Sequence, residues 1–482
     1  MPAAHPLRRI LKAAFAALGL LLGSGAQVRA EDSLPRGRFA FRSYGTEQGL
    51  GNLAPSHLLQ DRQGYIWVGT EDGLYRYDGQ RFQPFDRRSG LPSTFITALH
   101  EDGKGQLWVG TYQGLARLEG RTFVAVSPED GIGRIPVEGL ASDAANQLWV
   151  ANARGLFVSR AHNSFAISPG RTGGEATAVF CRPGSTRVWA AAWHEGAKGK
   201  DAAILQFNGQ QWQPLPRSGG SWAERVDSLL EDARGRLWAR TRRDLWVAPR
   251  GEALRPAKTP WGTAISARAA LSMNRRGGLF VPTDNGILGF DDDQWKRMGQ
   301  KEGLPVEWTR DVLEDREGSL WVASLGVHRL LGRGAWLAYT AREGLPSEVA
   351  WTFHRDREGR LWIGTDKGLA RGSQRGWEVL RGTERTVVRS VAEDREGRLC
   401  LAGSPVEVLR VDPRTGRVER YGREAGLSGR RIFRLVFDRG GNLWVATDGG
   451  GLLMAPALGR GPLRFTRVDL PGGRAGEYVS GL

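Results

Sequence analysis

One ten-residue segment recurs along the chain and limits its fold more than any other feature. Asp61-Arg-Gln-Gly-Tyr-Ile-Trp67-Val-Gly-Thr, Asp102-Gly-Lys-Gly-Gln-Leu-Trp108-Val-Gly-Thr and Asp356-Arg-Glu-Gly-Arg-Leu-Trp362-Ile-Gly-Thr are one pattern. With drift, it returns at Trp149, Trp189, Trp238, Phe280, Trp321, Cys400 and Trp444. Successive marker residues lie 41, 41, 40, 49, 42, 41, 41, 38 and 44 residues apart, which makes ten repeats of about 41. A period of this length belongs to stacked supersecondary units. Parallel β-helices use much shorter coils, and helical solenoids need a 3.6-residue apolar pattern that these segments lack.

Each repeat reads as four strands. In the second, Ile96 to Glu101 forms the first strand and Asp102 to Gly105 a tight turn, and Gln106 to Thr111 follows as the second strand. Gly114 to Leu118 and Thr122 to Val126 complete the set. Asp opens the turn because its side chain bonds backbone two residues on, and Gly closes it by taking a positive φ. Asp or Asn stands six residues before the marker in nine repeats, and Pro183 is the exception before Trp189. These carboxylates therefore have a local structural role ahead of any catalytic one. Glycine, 67 of 482 residues, is about twice its usual share, as ten turn-rich units require.

Four-stranded units of this length, stacked around an axis, give an all-β fold, a β-propeller with four strands per blade. The segment Arg38-Phe-Ala-Phe-Arg-Ser-Tyr44, followed by Gly49-Leu50, looks like the end of a repeat, matching Arg81 to Phe85 and Gly90-Leu91. An orphan outer strand at the start is what a ring needs when both chain ends close it, leaving no open edge. Ten blades exceed the usual 4–8 of one ring. The expected division is a leader over 1–30, a first propeller of about seven blades over 31–342, and the start of a second over 343–482. The final residues Glu477 to Leu482 resemble the first strand of an eleventh repeat.

Residues 1–30 begin with Arg8, Arg9 and Lys12, continue apolar from Ala13 to Leu22 and end on Val28-Arg29-Ala30. This is the layout of a secretory signal peptide, with an apolar run too short to span a bilayer. Removing it lowers the net charge from +16 to +12, and 60 of the basic residues are arginines scattered among turns. Spread in this way, the charge reads as a solvated surface, so no nucleic-acid partner is expected.

Metal and nucleophile chemistry find little support. The histidines of the exported region are isolated, and Asp291-Asp292-Asp293 stands where a hairpin turn belongs. Cys181 and Cys400 fall in different repeats, Cys400 in place of a marker tryptophan, and both read as buried thiols. No catalytic residue, metal site or cofactor is expected. Eight of the 18 tryptophans are markers. Of the others, Trp193, Trp308 and Trp351, with His194, lie at blade entries or in an insertion, near one mouth of a channel. Asp72, Asp284 and Asp366 share the loops between second and third strands. Aromatic rings beside polar groups suit a sugar or small aromatic ligand. The competing reading is inter-blade packing for the tryptophans and turn formation for the aspartates.

The Asp-x-x-Gly-x-Leu-Trp-Val-Gly-Thr pattern, Gly-Leu at 73–74, 114–115 and 368–369, and Glu-Gly-Leu-Pro at 302–305 and 343–346 resemble two-component regulator propeller repeats. The resemblance covers nearly all of residues 38–482. It implies a periplasmic sensor region that binds a small molecule or oligosaccharide and reports it to a downstream signalling domain or histidine kinase. Any kinase or cyclase output, and any membrane helix, would lie beyond residue 482, and a homodimer is a further expectation. The alternatives are a propeller enzyme of the streptogramin-lyase kind and an envelope scaffold for other proteins.

Overall fold

The computed structural model describes residues 37–160, 164–168, 174–196, 199–218, 224–264, 268–334, 337–373, 376–457, 461–469 and 478–482. The leader expected over 1–30 lies outside them. The described regular structure is strand, punctuated by short 3-10 turns. The chain divides into two compact units, and Arg38–Ala338 forms one of them. It holds seven antiparallel sheets of four strands, six of them in chain order. The second sheet, for example, comprises Ile96–Glu101, Leu107–Thr111, Gly114–Glu119 and Thr122–Ala125. The seventh takes Asp311–Glu314, Leu320–Ser324 and Gly326–Leu330 from the end of the unit and its fourth strand, Phe41–Tyr44, from the beginning. Tyr44 pairs with Val327 and Phe41 with Leu330. Leu58, Val68 and Tyr77 of the first sheet share a core with Trp321 and Ala323 of the seventh, so the ring closes.

Each column of the repeated motif has a physical job. The Asp side chain serves two. Asp102 Oδ1 accepts the N–H groups of Lys104 (2.8 Å) and Gln106 (3.1 Å), while its Oδ2 accepts the indole N–H of Trp108 at 3.0 Å. The same indole bond recurs at Trp67, Trp149, Trp238, Trp321, Trp362 and Trp444. Trp189, which has Pro183 in place of that aspartate, donates to Glu231 of the next sheet at 2.7 Å. A buried indole N–H is costly without an acceptor, and the neighbour supplies one. Glycine before the threonine lets the next inner strand approach: a Cβ on Gly110 would lie 2.7 Å from Val137 Cγ1. The threonine then caps the turn, Thr70 Oγ1 donating to Gly73 O at 2.8 Å and accepting Asp72 N–H at 3.1 Å.

The residue before the Asp stitches sheets together. Glu101, Glu314 and Glu393 accept the turn N–H of Arg62, Arg275 and Arg357 in the preceding sheet. Gln60 accepts that of Arg316, so the stitch also runs from the seventh sheet to the first.

The other unit, Tyr339–Leu482, contains three such sheets, starting at Ala350, Val387 and Arg431. The units part between Ala338 and Tyr339, not at 343, because Leu337–Ala338 still pairs with Arg38–Phe39, whereas Tyr339 packs edge-on against Trp377. After the third sheet, Val479 N–H donates to Thr447 O at 3.0 Å. The bond matches that of Thr309 N–H to Thr283 O, 2.9 Å, at the entry to an inner strand of the first unit. Cys181 and Cys400 are free and buried in separate sheets, and burial pushes both thiols up to about 12.

Candidate functional site

The inner strands of the seven-sheet unit do not alternate regularly. In the first four, the ladder skips one residue near its start, at Ser56, Thr97, Glu138 and Thr177. A bulge leaves its extra residue unpaired and re-aims the side chain. Ser56, Thr97 and Glu138 line a cavity of about 280 Å³, joined by Asp227, Arg268 and Arg310 from the fifth to seventh sheets. Glu71 and Arg242 reach it from turns between second and third strands.

Around this cavity four arginines face four carboxylates. Glu138 meets Arg225 at 3.0 Å and also Arg268, and Arg225 reaches Glu175 at 2.8 Å. Asp227 lies 3.7 Å from Arg268 and 4.0 Å from Arg242, while Arg310 contacts Glu71 at 2.8 Å. Burial raises the Asp227 carboxyl above its ordinary range against the pull of Arg268. Burial, reinforced by Arg268 and Arg310, holds His57 down to about 4, so its imidazole is neutral at neutral pH. Arg240, buried and donating to Thr263 O at 3.0 Å, is pushed down to about 10. Among the lining residues, Arg310 Nε and Thr97 Oγ1 are buried without a hydrogen-bond partner, as are Arg225 Nε and Arg240 Nη1 behind the lining. Such groups cost free energy until something bonds them. With charges balanced, the cavity suits a polar ligand offering both donors and acceptors, and it does not select a polyanion.

The residues singled out from sequence divide between the units. Trp308 is half-buried under the Arg310 guanidinium, 5.5 Å from its ring centre. Trp193 is half-buried against the core of the fourth and fifth sheets and pairs across the ladder with Glu175. His194 belongs to the strand Val188–Gly196, and its side chain lies outside the described residues. Asp72 is an exposed turn residue whose carbonyl accepts from Tyr75 Oη at 3.2 Å. Asp284 is half-buried and lends its charge to Arg240. Trp351 and Asp366 belong to the three-sheet unit. Trp351 is 44% exposed with Arg389 3.9 Å over its ring, and Asp366 is half-buried with Oδ1 unbonded.

The cavity residues His57, Glu138, Asp227, Arg268 and Arg310 were not among these. A signal for them exists. Eleven or twelve residues before each marker stands a column reading Ser56, Thr97, Glu138, Thr177, Asp227, Arg268 and Arg310, then Trp351, Arg389 and Phe433. It varies in charge while the framework columns hold.

The model of the two component regulator propeller repeat matches residues 49–72, 90–113, 344–367 and 426–449. Each match starts at a left-handed glycine that ends a 3-10 turn, such as Gly90, and runs to the turn after the second strand. No curated protein matches the sequence. Among solved structures, the chain is similar to the extracellular domain assigned to a hybrid two component system, BT3049 of B. thetaiotaomicron. The TM-score is 0.60 at 18% identity, covering 90% of this chain and 74% of that one. It is also similar to the extracellular domain of BT4673 from the same organism, with TM-score 0.50 and 18% identity over 92% of this chain and 63% of that one. At such identities the likeness is one of fold. Four repeats match that model, and six more carry the same pattern in register with them.

Proposed function

We propose that this protein is the exported, ligand-sensing region of a two-component-type receptor, and that the cavity of the seven-sheet unit is its ligand site. The observation that carries this reading is the balanced ring of charges around a 280 Å³ cavity in whose lining the buried atoms Thr97 Oγ1 and Arg310 Nε have no hydrogen-bond partner. The ligand is a small molecule or oligosaccharide bearing both donors and acceptors. Glu138 and Arg268 bond it, with Trp308 and Arg310 at the rim. Residues 1–30 direct export to the periplasm. Binding acts on a downstream output by favouring one arrangement of the receptor, through the ligand's differential affinity for two states.

A thermal-shift screen of the exported protein against neutral and zwitterionic oligosaccharides and small metabolites tests this. The reading expects a compound that raises the melting temperature, is recovered unchanged, and loses its effect in Arg268→Ala and Glu138→Gln. A hit at 100 times its Kd adds about 2.7 kcal/mol to stability. Turnover of the hit would favour an enzyme, and full binding by both variants would remove the cavity from the account.

A further inference from the structure

We propose that the three-sheet unit has a second ligand site, a slot beside Cys400 that takes a small planar aromatic molecule carrying a ring N–H, such as an indole. This proposal does not rest on the sensor reading, since the slot and the charged cavity lie in different units.

Elsewhere the marker indole is held by polar partners. In seven repeats it gets a carboxylate acceptor from the Asp six residues before it. In two sheets it also gets a guanidinium from the residue paired with it across the ladder: Arg76 lies 5.6 Å from the Trp67 ring and Arg329 lies 5.1 Å from that of Trp321. Such contacts add cation–π attraction to apolar burial.

At the ninth repeat the indole is gone and its surroundings stay. Asp394 keeps Oδ1 on the turn, accepting the N–H groups of Glu396 (3.0 Å) and Arg398 (2.8 Å). Its Oδ2 accepts Arg398 Nε at 2.7 Å. In the neighbouring sheet the matching atom, Asp356 Oδ2, accepts Arg360 Nε at 2.7 Å and the Trp362 indole at 2.8 Å together. Asp394 therefore presents the same acceptor with one of its two donors removed. Arg410, paired with Cys400 across the ladder, is buried, held by Glu419 at 2.5 Å and set over Tyr421. Cys400 and Arg410 border a cavity of about 460 Å³ whose wall is largely charged, with Asp394, Arg395, Arg398 and Asp438, and apolar at Phe437, Leu443 and Leu463. A truncated core residue leaves either a collapsed site or a void, and a void open to polar groups favours a guest that can also bond them. Here the void also keeps an acceptor and a cation at the places where the lost ring was bonded. The Cys400 thiol takes no chemical part, since burial keeps it protonated.

The test uses the full chain and 5-fluoroindole followed by fluorine NMR. The expected result is a saturable shift that unlabelled indole competes away. Indene, the same bicycle without the N–H, should compete about tenfold less well, because it leaves the carboxylate unmet. Cys400→Trp should fill the slot and abolish binding. The indole-to-indene ratio is measured on the unaltered protein, so it does not depend on how the variant folds. Absence of saturable binding, equal competition by indene, or undiminished binding to a folded Cys400→Trp protein would each overturn the proposal.

Discussion

The two units are built from one blade, yet the same columns meet different fates in them. Nine residues before the marker, Leu58, Leu229 and Val312 of the seven-sheet unit are buried against a neighbouring sheet. Phe353, at that column in the leading sheet of the three-sheet unit, is 66% exposed. The stitching column agrees: Gln60 accepts from Arg316 of the seventh sheet, whereas Arg355 occupies that place in the three-sheet unit and bonds its own turn at Gly359 O. Eleven residues before the marker, charge around a cavity gives way to Trp351, Arg389 and Phe433. A blade's framework is thus local, but the burial of its leading face depends on whether another sheet stands before it.

Mutations at matched positions can break or sharpen that contrast. The largest effect is expected at the closure. Trp321→Ala removes an indole stacked on Tyr44 at 5.5 Å and should cost about 3–5 kcal/mol by urea denaturation. Leu58→Ala should cost about 2–5 kcal/mol, while Phe353→Ala at the matching column should stay within about 0.5 kcal/mol. Equal costs would show that Phe353 is covered and that the contrast fails.

Asp311 gives the contrast a pH signature. It accepts Leu58 N–H at 2.8 Å between the seventh and first sheets, the role that Ser390 fills toward Leu435 in the three-sheet unit. Burial raises Asp311 to about 7. The folded state then holds a proton that the unfolded chain, with its carboxyl near 3.9, has already lost. Stability supplied by the protonated form is present below about pH 4 and falls by up to about 1.4 kcal/mol per unit as pH rises toward 7. Asp311→Asn should cancel that slope. His57, His100 and His328, each held near 4, act in the opposite direction, so stability should be compared between variant and parent at each pH. A smaller effect than at the closure is expected at Glu231→Ala. It strands the Trp189 indole and should cost about 1–2 kcal/mol, against about 1 kcal/mol for Glu314→Ala, which loses only the stitch to Arg275.

Much of the blade was legible in advance because it is made by short-range chemistry. The Asp-to-Gly turn, the four strands of residues 96–126 and the outer strand at 41–44 follow from alternation and turn residues. The second use of the aspartate, as acceptor for an indole six residues on, was not visible, since it requires the hairpin to have formed. Nor was the rescue of Trp189 by Glu231, 42 residues away. The cavity escaped for a related reason. Bulges at Ser56, Thr97 and Glu138 interrupt the alternation that locates inward faces, and only ring closure brings His57, Asp227 and Arg310 to one space. Trp308 lies under Arg310 and Trp193 pairs with Glu175, whereas Asp72 serves its turn.

The strand Phe41–Tyr44 completes the seventh sheet and closes a ring around the charged cavity. Native-state hydrogen exchange of Phe41–Tyr44 tests it most directly. Their ladder-bonded amides should be as protected as those of the partner strand Gly326–Leu330 and exchange only through global unfolding. Rapid exchange of Phe41–Tyr44 while Gly326–Leu330 stays protected would show an unpaired terminus and contradict the closed ring.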